Sequence, residues 1–257
     1  MVLSLVAVIG SGYFIFLRDR HDFIWIFGAG LLILITSYVF QFQLDQLMMR
    51  GVPQRIDRPM LQMLLFTSPQ FAAMHPDQQL MMEDRMKRWI IRKEFINKND
   101  QDAPEDMKYI LAYYAALLTL HQPEFLYKGI DRIVFYHHPF LTPGHPDDVH
   151  ILEVEPQDGT LIISVPHLFK GHAEKGFYNI ALHATALAYQ NEYMDKDIVW
   201  PDDIWEKLEG ASTISREAIE YYLGLPVTDP FPVCVHHMIT YQMEVPQLEG
   251  VFPHLNN

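Results

Sequence analysis

Tyr178 to Tyr193 reads YNIALHATALAYQNEY, and the fold class turns on that stretch. Its apolar residues recur at helical spacing, so the segment reads as a strong helix. One ionisable group lies in its apolar half, His183. No histidine stands three or four residues after it. A lone imidazole on such a helix is a core residue or the remnant of a site, since residues that share a helical face lie three or four apart.

Working outward, Tyr109 to Leu120 (YILAYYAALLTL) is a second nearly all-apolar helix, too short at 12 residues to span a bilayer. Asp102-Ala103-Pro104-Glu105 starts it, with proline suited to a first turn. His75-Pro76-Asp77 opens another helix, apolar at Leu80, Met81, Met86, Trp89 and Ile90. Asp131 to Tyr136 and Leu161 to Val165 read as strands. Ile214 to Leu223 and Val233 to Met243 read as helices. The pattern is α+β, mostly helical with a small sheet, over residues 61–257.

Before it lie two apolar runs, Met1 to Leu17 and Phe23 to Phe42, parted by Arg18-Asp19-Arg20-His21-Asp22. The second is 20 residues without a charge, the length a bilayer asks of a helix. Residues 1–45 therefore read as a membrane hairpin of two transmembrane helices, and 46–60 as a linker. The expected location is a multi-pass membrane protein in contact with the lipid bilayer. Arg50, Arg55 and Arg58 against Arg18 and Arg20 place the domain on the cytoplasmic side.

A formal net charge of −13 excludes general nucleic-acid binding, which needs clustered Lys and Arg. The single cysteine, Cys234, excludes an internal disulfide framework. There is no G-x-S-x-G elbow, P-loop or dinucleotide fingerprint.

Five segments in order resemble one family. They are MKRWIIRKEFINKND (Met86 to Asp100), DMKYILAYYAALLTL (Asp106 to Leu120), GIDRIVFYHHPF (Gly129 to Phe140), YNIALHATALAY (Tyr178 to Tyr189) and CVHHMITYQMEVPQL (Cys234 to Leu248). Together they resemble the zinc-dependent peptidases of the Mlc titration factor A family over about 190 residues. The resemblance implies a zincin-like domain. It also implies a helix carrying H-E-x-x-H, whose histidines hold zinc and whose glutamate takes a proton from the metal-bound water.

Here that motif is His183-Ala184-Thr185-Ala186-Leu187. His183 is the remnant metal position. Ala184 has no proton acceptor, Leu187 cannot ligate, and the downstream glutamate falls on Val233. A catalytic zinc site needs three protein ligands, so no cofactor is expected, with zinc as the one candidate. Glu217 and Glu220 could approach His183 but read better as a solvated face. His137, His138, His145 and His150, with Asp147 and Asp148, crowd a Pro-rich loop that offers a second candidate metal site. His236 and His237 point about 100° apart, one to the core and one to solvent. His167 and His172 read as surface residues.

The sequence therefore points to a non-catalytic, membrane-anchored peptidase-like protein whose partners are proteins, chiefly membrane proteins, as a binding module or accessory subunit. Its candidate peptide-binding edge is the second strand, at Leu161, Ile163 and Val165. The alternatives are an active zinc metallopeptidase with an unusual ligand set, and a repressor-binding regulator.

Overall fold

A computed structural model describes residues 24–39, 54–99, 101–174, 176–194, 198–212 and 214–255. The chain divides into two compact units, Met1–Pro53 and Gln54–Asn257. In the first unit the described element is helix α1 (Ile24–Val39), 16 residues long. At 1.5 Å per residue it extends roughly 24 Å, short of a bilayer core of about 30 Å. No helix among the described residues is long and apolar enough to cross a membrane. The expected multi-pass membrane location is corrected on that ground. The expected first span, Met1 to Leu17, lies outside the described residues.

The second unit holds the α+β domain. Helices α2 (Arg58–Thr67), α3 (Pro69–Ala73) and α4 (Pro76–Arg92) lead into strand β1 (Glu94–Asn97). Each of these helices begins at or beside a proline, where the absent N–H costs nothing. His75 caps α4: its Nδ1 accepts from the amide of Asp77 at 3.3 Å, and Gln78 returns the contact to the amide of His75. Helix α5 (Glu105–Leu118) crosses to β2 (Arg132–Tyr136). A long loop then reaches β3 (Leu152–Glu155), which turns back into β4 (Thr160–Ser164). Helices α6 (Val165–Ala173), α7 (Ile180–Tyr193), α8 (Ile204–Ser212), α9 (Arg216–Leu223) and α10 (Phe231–Tyr241) complete the domain.

The sheet runs β1-β2-β4-β3. β1, β2 and β4 are parallel, and β3 is antiparallel to β4 in the register Leu152↔Ile163, Val154↔Leu161. β4 is thus paired on both sides, by β2 and by β3. The expected free edge at Leu161, Ile163 and Val165 is therefore interior: a strand bonded to two neighbours has no row of amides left to offer. Val165 is already the first residue of α6. The open antiparallel edge belongs to β3. Ser164 donates its amide to the carbonyl of Ile151 at 2.9 Å. That makes Ile151/Ser164 and Glu153/Ile162 the bonded pairs, and it turns the N–H and C=O groups of Leu152 and Val154 away from the sheet.

The two apolar helices form the centre. From Met107 to Leu118 every residue of α5 but Lys108 is buried, and from Ile180 to Ala186 so is every residue of α7. α4 packs on α5, and α5 and α10 both pack on α7. Two buried charges fix chain entries. Glu83 accepts from the amide of Ile56 and pairs with Arg55, each at 3.4 Å. Lys93 donates to the carbonyls of Leu126 at 2.7 Å, Tyr127 at 2.6 Å and Ile130. Burial pushes the Lys93 ammonium down to about 8.

Candidate functional site

The residues at the H-E-x-x-H positions lie on the first two turns of α7. Asn179 starts that helix: its side-chain oxygen accepts from the amide of Leu182 at 3.0 Å. His183 and Ala184 are buried, and Leu187 is half-buried. Val233 is fully buried on α10.

His183 is already engaged. Its Nδ1 lies 2.6 Å from Oη of Tyr178. Burial holds the Tyr178 hydroxyl protonated, far above its ordinary range, and pushes His183 down to about 3. The hydroxyl therefore donates to a neutral ring, whose proton then sits on Nε2. The face of Tyr178 stacks on His236 with ring centroids 4.2 Å apart. Nε2 of His236 accepts from the amide of Asn179 at 3.1 Å.

The network continues across the domain. Asn179 donates its side-chain amide to Oη of Tyr114 at 2.6 Å, and Tyr114 meets Nδ1 of His172 at 3.0 Å. Nε2 of His172 meets Oγ1 of Thr67 at 2.8 Å, and Thr67 donates to the carbonyl of Met63 at 2.9 Å. The Thr67 proton is spent on Met63, so His172 donates from Nε2 and accepts the Tyr114 hydroxyl on Nδ1. Each group meets its complement with His172 neutral, and burial pushes His172 down to about 4.

These side chains do not fit a catalytic zinc ion. Of the motif positions, only His183 is of a ligand type, and its Nε2 carries a proton in this network. Among the described residues, no three of His, Cys, Asp and Glu converge to hold a metal. Glu220 is committed to Arg216 and to the amide of Val227, both at 3.0 Å, and Glu217 is exposed. Neither completes a set with His183.

The histidines of the candidate metal loop do not converge among the described residues. His150 is fully buried, with Nδ1 2.7 Å from the carbonyl of Asp148 and Nε2 3.1 Å from the carboxylate of Glu153. Both ring nitrogens are directed at these oxygens and away from the other histidines of the loop. His137 bonds Asn97 at 2.9 Å, and His138 bonds the carbonyl of Pro139 at 2.8 Å. The His145 ring packs 5.5 Å from that of His150, and its amide donates to the carbonyl of Thr142 at 3.1 Å. The loop is a structural staple. Phe140 and His150 exchange backbone bonds, and Gly224 lies so close beneath that a Cβ would sit 2.2 Å from the carbonyl of Val149.

His236 and His237 are both fully buried, against the expectation that one faces solvent. α10 is enclosed by α7 and α8. His172 bridges two elements instead of lying on the surface. His167 is half-buried and bonds Oγ of Ser164 at 2.8 Å. Cys234 is buried on its helix, and burial pushes its thiol up to about 12. Sequence reasoning missed Tyr178 and Asn179. The one signal was that both stand within a helical turn or so before His183.

The model of a family described as glucose-regulated metallo-peptidase M90 matches residues 49–188. The match includes all four strands and α7 as far as Ala188. No curated protein matches the chain.

Proposed function

We propose, for a chain that belongs to the glucose-regulated metallo-peptidase M90 family, a non-catalytic function: it binds an extended protein segment and does not cut it. One observation carries the reading. The open antiparallel edge of the sheet, β3, lies beside α7, whose first turns hold His183 bonded to Tyr178 and Ala184 where a general base would stand.

Strand addition needs a row of unpaired amides and carbonyls with room for alternate side chains. The backbone of Leu152 and Val154 supplies the row, and among the described residues it has no hydrogen-bond partner outside the sheet. Hydrolysis needs a polarised carbonyl and a base for the attacking water. Ala184 cannot take a proton, and Leu187 cannot hold a metal.

Incubation of the purified chain with a library of extended peptides, followed by capture and mass spectrometry, tests this. Peptides recovered bound and at unchanged mass are the expected result. Cleavage that stops with chelator and with His183→Ala would overturn it in favour of an active peptidase.

A further inference from the structure

Charge is distributed very unevenly around β3. From Ile133 to Phe169 the sequence contains no Lys or Arg, while it contains Asp147, Asp148, Glu153, Glu155 and Asp158. Asp147 and Asp148 are exposed on the loop that enters β3, and Asp158 is exposed in the turn that leaves it. Glu153 is answered by His150 at 3.1 Å. Glu155 is half-buried, and among the described residues its carboxylate meets the amide of Gln157 at 3.4 Å. None of Asp147, Asp148, Glu155 and Asp158 pairs with a Lys or Arg among the described residues.

Strand alternation puts Glu153 and Glu155 on one face of β3 and Leu152 and Val154 on the other. A strand added to this edge would set its own side chains directly opposite these, at about 5 Å. Open edges are commonly guarded with Lys. Here the guard is acidic, and a second copy of β3 would set like charges against one another. A segment bearing Lys or Arg would meet its complement.

We infer that the segment added to β3 is basic, with Lys or Arg facing Glu155 and toward Asp147, Asp148 and Asp158 at the ends of the strand, and apolar residues facing Leu152 and Val154. This rests on the strand-addition reading above. The acids at both ends of β3 also steer such a segment toward the edge and speed its capture at low salt.

Fluorescence anisotropy of the full chain with three labelled eight-residue peptides tests the inference: alternating Val/Lys, Val/Thr and Val/Glu, at low and at high salt. The Val/Lys peptide is expected to bind tightest and to weaken with salt. Glu155→Lys, which keeps every backbone amide, is expected to weaken it about tenfold by replacing attraction with repulsion. Val154→Pro, checked for folding by circular dichroism, removes an outward amide and is expected to abolish binding. Equal binding of Val/Lys and Val/Thr, both lost in Val154→Pro, would overturn the charge inference and leave strand addition standing. Val/Lys binding untouched by Val154→Pro, or no binding by any peptide, would overturn strand addition and this inference with it.

Discussion

Tyr178 Oη and His183 Nδ1 are 2.6 Å apart, and both side chains are buried. A metal-ligating histidine is commonly held by its second nitrogen, so that the first faces the ion. Here the contact runs the other way: Nδ1 of His183 accepts the Tyr178 hydroxyl, so Nε2 carries the ring proton, and Ala184 and Leu187 on the same helix supply no ligand. The imidazole has become part of the core.

Tyr178→Phe should therefore destabilise the domain by about 1–3 kcal/mol, because it strands a buried ring nitrogen. His183→Leu in the Tyr178→Phe background should recover part of that loss, since replacing both partners with apolar groups leaves nothing unpaired. Urea denaturation of the two single variants and the double variant measures the coupling. Strict additivity would show that the contact does not matter.

Acid should loosen the domain through its buried histidines. Burial pushes His172 and His254 down to about 4, from about 6.5 in the unfolded chain. The unfolded state then binds more protons, so the contribution is complete above about pH 6.5. It is lost as the pH falls toward about 4. The urea midpoint should drop steadily between pH 7 and pH 5, and His172→Gln should flatten the slope. An unchanged slope in that variant would remove His172 from the account.

Gly224 ends α9 at φ 81°, with its Cα against the carbonyl of Val149. Gly224→Ala adds a left-handed strain of about 1 kcal/mol and a methyl with no space to enter. The variant should melt several degrees lower and show faster amide exchange at residues 149–151. Protection at those amides equal to that of the parent would count against the staple.

Lys93→Met should cost about 2 kcal/mol or more, because the carbonyls of Leu126, Tyr127 and Ile130 lose their shared donor. Thermal unfolding by circular dichroism reads the loss directly.

Much of this was legible in the chain. The apolar run of α5 fixes its burial, and Pro76 and Pro104 mark helix starts. The resemblance to zinc peptidases is borne out by the family match over residues 49–188. Sheet order was not legible. Leu161 and Ile163 alternate like an edge strand, but edge or centre is decided by the partners β2 and β3 bring from elsewhere in the chain. The fates of His236 and His150 were equally hidden, since each depends on a ring or carboxylate that only tertiary packing brings near. Phe23 to Phe42 has the composition of a membrane span, yet the described helix is Ile24–Val39.

The most direct test of binding without zinc catalysis is the metal content of the full chain, purified without chelator and analysed by plasma mass spectrometry beside His183→Ala. Zinc far below one ion per chain, equal in both proteins, is the expected result. One zinc per chain in the parent, lost in His183→Ala and accompanied by chelator-sensitive peptide hydrolysis, would contradict the account.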